Sequence, residues 1–201
     1  SLYMAGNFND TPVLLGHTSN EMGSFGGNQE LTKADFEKQI KEQYGPQAEL
    51  ILSAYPHATD AEATRASRDI RNDSSFSWNT WAWSRLQTQK GKNSAYQYYF
   101  DYNPGPPDTG SGHGSDVPYA FQTLGGVETT PEDDLELSDM ISSYWANFAK
   151  TGNPNGQGLP EWPAFTETDQ KVMVFDATPG ARHVPNMERL KVIDTYFSGL
   201  R

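Results

Sequence analysis

Cysteine is absent from the 201 residues. The chain can therefore build no disulfide, no cysteine-ligated zinc site and no thiol nucleophile. Basic side chains are scarce. Fifteen Lys and Arg stand against 26 Asp and Glu, for a net charge of −11. A surface of that sign disfavours a phosphate backbone or an anionic membrane as partner, and it equally serves plain solubility. Long apolar runs are missing too: nothing approaches the roughly 18 residues a membrane span needs, and the opening residues do not read as a signal peptide. Hydrophobic residues total 35%, low for a self-contained domain.

What is present is aromatic. Five Trp and ten Tyr are more than a disordered chain carries, so the apolar surface of a folded protein is concentrated in large rings. The opening SLYMAGNFNDTPVLLGH has no initiator Met and enters a strand-like run at once. It reads as the middle of a longer chain.

The pattern along the chain predicts strands separated by long helical stretches. TPVLLGH (11–17) reads as a buried strand followed by a polar loop. Leu31, Phe36, Ile40 and Tyr44 fall on one side of a helix over 31–44, with Thr32 or Asp35 as its cap. A second helix covers 46–55, with Pro46 in its first turn. Residues 60–90 form the longest helical candidate, broken near Asn72–Ser75 and ended by Gly91. Its expected buried stripe runs from Ala63, Ala66 and Ile70 to Phe76, Trp78, Trp81 and Trp83. AYQYYFDY (95–102) reads as a strand, and NPGPPDTGSG (103–112) as a turn-rich loop. Thr130 caps a helix to Gly152 with Pro131 at its first position, KVMVFD (171–176) is a strand, and 186–200 is a final amphipathic helix. This order implies a mainly parallel sheet with helices on its faces. Three visible strands make a poor sheet alone, which suggests that part of the sheet lies elsewhere.

Four histidines are candidates for chemistry. His57 and His183 sit beside prolines and read as surface residues; His17, ending the first strand, is ambiguous. His113 lies in SGHGSDVPYAF (111–121), in a glycine-flanked loop after a strand. In α/β sheets, sites gather outside the carboxyl ends of strands. A catalytic base, a metal ligand and a plain flexible turn all fit that position, although no HExxH motif supports the metal. The loop after the first strand carries one acid, Glu21. A carboxylate can fix the tautomer of a histidine base and stabilise the imidazolium, and the order acid before His is that of an α/β-hydrolase triad. An unrelated surface Glu and loop His remain an alternative on these grounds.

Three segments carry a family likeness. TPVLLGHTSNEMGSF resembles the acid-bearing segment of type-B carboxylesterases, the cholinesterase-like branch of the α/β-hydrolases. HGSDVPYAF resembles that family's base-bearing segment, and WANFAKTGNPNGQGLPEWPAF resembles its W-NFAKTGNPN…LPxWP signature. The likeness runs in order over nearly the whole chain. It implies Glu21 as triad acid, His113 as general base and Asp116 as a structural acidic residue. The family's usual Asp-Glu-Gly is here Asn20-Glu21-Met22-Gly23.

No GxSxG occurs in the sequence. The resemblance therefore implies that 1–201 is the C-terminal portion of one α/β-hydrolase catalytic domain, incomplete without an N-terminal complement. That complement, joined or as a nicked second chain, would carry the nucleophilic Ser and the oxyanion hole. The isolated chain is expected to be inactive. The implied substrate is a small-molecule ester, with no cofactor, no metal, no nucleic acid and no membrane span, and a secreted or periplasmic setting is favoured. The rival readings are a cholinesterase-like binding protein without catalysis, and an inactive truncated fragment.

Overall fold

The computed structural model describes residues 2–25, 30–105, 109–125 and 129–200. They group into two compact units. One comprises Ser1–Ser19 and Thr80–Pro185; the other comprises Asn20–Asn79 and Asn186–Arg201.

The first unit holds the sheet. Strands β1 (Val13–Thr18), β2 (Ala95–Phe100), β3 (Lys171–Phe175) and β4 (Gly180–His183) stand in that order. The first three are parallel, and β4 runs antiparallel to β3. The central strands are the buried ones, because a parallel strand covered on both faces needs apolar side chains throughout. Val172, Met173, Val174 and Phe175 are all buried. Strand β4 is short and mostly exposed (its Ala181, Arg182 and His183 face solvent), so no hydrophobic pattern announces it in the sequence.

Helix α6 (Glu132–Thr151) packs Leu137, Ile141 and Tyr144 into the core of this unit. Three acids in its first turn favour the positive end of the helix dipole, and Gly152 closes it at a left-handed φ of 76°. The cap falls on Pro131, one residue past the expected Thr130. Trp162 sits at the centre of the aromatic core, 5.2 Å from the Tyr144 ring, 5.7 Å from Phe175 and 5.9 Å from Trp145. Its indole N–H donates to Gln97 O at 3.1 Å, so even its polar atom is satisfied. Asn155 holds the Trp162 backbone from both sides: its Oδ1 accepts from Trp162 N at 2.7 Å and its Nδ2 donates to Trp162 O at 2.8 Å. The GNPNGQGLPEWP stretch is thus the mount of a core tryptophan.

The second unit is helical. Helices α1 (Lys33–Tyr44), α2 (Ala48–Ala54), α3 (Asp60–Asn72) and α7 (Met187–Gly199) bury Phe36, Ile40, Ile51, Ile70 and Ile193 together. Thr32 caps α1 as expected, accepting from Asp35 N at 3.1 Å. Thr59 and Glu62 form a capping box on α3. Instead of a break near Asn72–Ser75, the helix widens into a π-turn at Asp73–Ser77 and runs on as α4 (Trp78–Lys90). The π-turn presents Asp73 to a buried ion network. Arg189 reaches Asp69 and Asp73, each at 2.8 Å, and Tyr55 OH donates to Asp73 at 2.9 Å. Burial raises the Asp73 carboxyl above its ordinary range while the Arg189 charge opposes that shift. Nearby, Trp78 Nε1 donates to Asp194 at 2.9 Å.

The expected tryptophan stripe is only half right. Trp81 is 4% exposed, but Trp83 is 47% exposed. Two positions along a helix differ by roughly 200°, so both rings cannot enter one face. Phe25 is exposed as well, stacked on Phe76 at 6.3 Å.

Candidate active site

The carboxyl ends of β1 and β2 lie side by side, with Thr18 paired to Phe100. Both segments of interest leave from that edge. At the end of β1, Ser19 N donates to Phe100 O at 2.8 Å, extending the ladder by one bond. Glu21 follows at once and opens a single 3-10 turn, Glu21–Ser24, with its side chain buried. Gly23 fits tightly here: a Cβ at that position would come within 2.3 Å of the Asn20 side chain. The Asn20 and Met22 that depart from the family pattern therefore sit in a compact turn, with the Asn20 side chain lying against Gly23.

His113 lies thirteen residues beyond Phe100 and is exposed. Its loop is held on both sides. Before it, Ser111 is buried. Its N–H donates to Ser19 Oγ at 2.7 Å and its hydroxyl donates to Tyr102 O at 2.7 Å. After it, Ser115 N and Val117 N close turns onto Gly112 O and Gly114 O, each at 3.1 Å. Gly114 takes a left-handed φ of 76°, which explains a glycine directly after the histidine. Asp116, expected to be structural, accepts from Tyr98 OH at 2.7 Å. The chain then enters the short helix α5 (Val117–Ala120). There Tyr119 OH donates to Asp134 at 2.7 Å and Ser138 Oγ donates to Tyr119 O at 2.9 Å. Part of the preceding turn-rich stretch, 106–108, lies outside the described residues.

Glu21 and His113 thus issue from adjacent parallel strands, and Ser19 and Ser111, two residues before each, are joined directly. Glu21 belongs to the second compact unit and His113 to the first. The sequence does not single out Ser19, Ser111 and Tyr98, which hold the ends of this loop, since serines at loop ends and tyrosines in strands are commonplace.

The other histidines have ordinary settings. His57 is partly buried, with Nδ1 2.6 Å from Tyr55 O and Nε2 3.8 Å from Glu37. His183 is exposed, as expected, and lies on β4. His17 resolves as a core residue. It is buried against Tyr99 in an edge-on contact at 5.3 Å, and neither ring nitrogen has a hydrogen-bond partner among the described residues. Burial lowers its pKa from 6.5 to about 4, so it is neutral at pH 7. Among the described residues, no group of three or more His, Asp or Glu side chains converges as metal ligands would, and no helix is long and apolar enough to cross a membrane.

A mostly parallel four-stranded sheet flanked by helices is a partial α/β-hydrolase fold, and solved structures agree on it. PNB esterase superposes with a TM-score of 0.71 at 24% identity, over 90% of this chain and 38% of that one. The Carboxylesterase family matches residues 3–193, and the chain belongs to that family. Among curated relatives, cocaine esterase of Homo sapiens is 37% identical over 91 residues, 41% of this chain and 16% of that protein. Carboxylesterase 1C of Rattus norvegicus is 28% identical over 204 residues, 90% of this chain. The chain spans 37% of that relative's length.

Proposed function

We propose that this chain is the acid- and base-bearing C-terminal portion of one serine carboxylesterase catalytic domain. The nucleophilic Ser and the oxyanion-hole N–H groups are supplied by an N-terminal portion of the same enzyme. His113 takes the proton from that Ser as its oxygen attacks the ester carbonyl, then returns a proton to the leaving alcohol. Glu21 accepts the other ring N–H, fixes the tautomer and stabilises the imidazolium. Backbone N–H groups hold the tetrahedral oxyanion, and water attacking through His113 releases the acid. The substrate is a small carboxylic ester, and alone the chain has a base with nothing to deprotonate.

One observation supports this reading most. The family match covers nearly the entire chain and includes an exposed histidine on an anchored loop at the carboxyl edge of the sheet. A tagged fluorophosphonate reacts only with an activated serine, so it tests the reading directly. With the N-terminal portion present, the probe labels the assembled protein, and His113→Ala suppresses labelling. Absence of labelling in the assembled wild type would instead favour a carboxylesterase-like binding protein.

A further inference from the structure

We infer that Ser19 and Tyr98 are positioning residues for His113: they grip its loop on either side and set where the imidazole is delivered. The inference rests on the reading of His113 as general base. A histidine thirteen residues past its strand would ordinarily sample many positions, because a loop of that length carries large conformational freedom. A general base tolerates little of this. A misplacement of about 1 Å can cost on the order of 10²-fold in rate.

Both grips are built from rigid parts. Ser19 is fixed to β2 by its own N–H, which donates to Phe100 O at 2.8 Å. Its hydroxyl oxygen therefore meets the Ser111 N–H from a set position, at 2.7 Å. Ser111 is 3% exposed, so water cannot readily replace that acceptor, and the donor would be left buried without a partner. Tyr98 is equally fixed. Its ring lies against Gly16, the residue it pairs with on β1, where a Cβ would come within 2.3 Å of the ring. Trp145 stands edge-on to it at 5.1 Å and Phe175 lies 6.2 Å away. The hydroxyl is aimed by this packing at Asp116, three residues beyond His113. One grip comes two residues before the histidine and the other three residues after it. Between them the backbone is folded by the two turns closed on Gly112 and Gly114. The side chain of His113 stays exposed while its backbone is held at both ends.

The test uses the enzyme assembled with its N-terminal portion and an aryl ester, with rates taken per folded molecule well below the melting transition. Ser19→Ala and Tyr98→Phe each remove one oxygen. Each is expected to lower kcat about 3- to 10-fold with KM within about twofold, and the double variant on the order of 10²-fold. Ser19→Thr keeps the hydroxyl and is expected to restore kcat, which a loss of general stability would not do. His113→Ala is measured alongside. If it abolishes turnover while both single variants and the double keep wild-type kcat, the positioning role is overturned and His113 remains the base. If His113→Ala turns over normally, the reading of His113 falls and the positioning role falls with it.

Discussion

The exits of β1 and β2 solve one problem in opposite ways. Glu21 stands three residues past Thr18, in a tight turn, buried at 4% exposure. His113 stands thirteen residues past Phe100, exposed, and is held by side-chain bonds made before and after it. In the proposed roles, a carboxylate that orients its neighbour is served by a short covalent path and burial, whereas a base that reaches a substrate stays accessible and takes its order from anchors on its flanks. The short segment stays within three residues of its strand, whereas the long one is anchored by residues far away in the chain.

Glu21→Gln gives the sharpest break of this comparison. It keeps the shape of the buried turn and removes the charge that, in the proposed mechanism, stabilises the imidazolium. Turnover of an aryl ester by the assembled enzyme is expected to fall by on the order of 10³- to 10⁴-fold, with stability near wild type. A small effect would mean that the buried acid is structural.

A second break strikes the core behind the long loop. Trp162→Ala removes the ring around which Tyr144, Trp145 and Phe175 pack. Denaturant unfolding is expected to show a loss of about 3–5 kcal/mol. This separates the packing role of the GNPN…WP signature from the delivery role proposed for the His113 loop.

The smallest effect concerns His17, next to both exits. Its folded pKa is lowered to about 4 from 6.5, so between these values the unfolded chain binds a proton that the folded chain refuses. Its contribution is therefore fully favourable above about pH 6.5 and declines as the pH falls toward 4. Between pH 7 and pH 5 the expected loss is about 2 kcal/mol. Melting curves of wild type against His17→Phe check this, since the variant should lose that share of the pH dependence.

Much of this was readable in the sequence, for identifiable reasons. Strands β1, β2 and β3 are apolar or aromatic runs bounded by turn residues, and the long helices carry caps and apolar stripes. Strand β4 was not readable, because Gly-Ala-Arg-His has no buried face to leave a pattern. The π-turn at Asp73–Ser77 hides inside an otherwise helical period, since it changes the winding and not the composition. Of the three points where the chain passes between the two compact units, one falls in the first turn of α4, where no linker composition marks it. Glu21 and His113 stand out as candidates in the sequence because their local segments are distinctive. Ser19, Ser111 and Tyr98 do not, because their importance comes from partners up to 92 residues away.

The central claim is that His113 is the general base of an ester hydrolase. Its most direct test is the kcat of His113→Ala for an aryl ester, measured on the enzyme assembled with its N-terminal portion. The account predicts a fall of roughly 10³-fold or more, with folding preserved. A variant that turned over at the wild-type rate would contradict it.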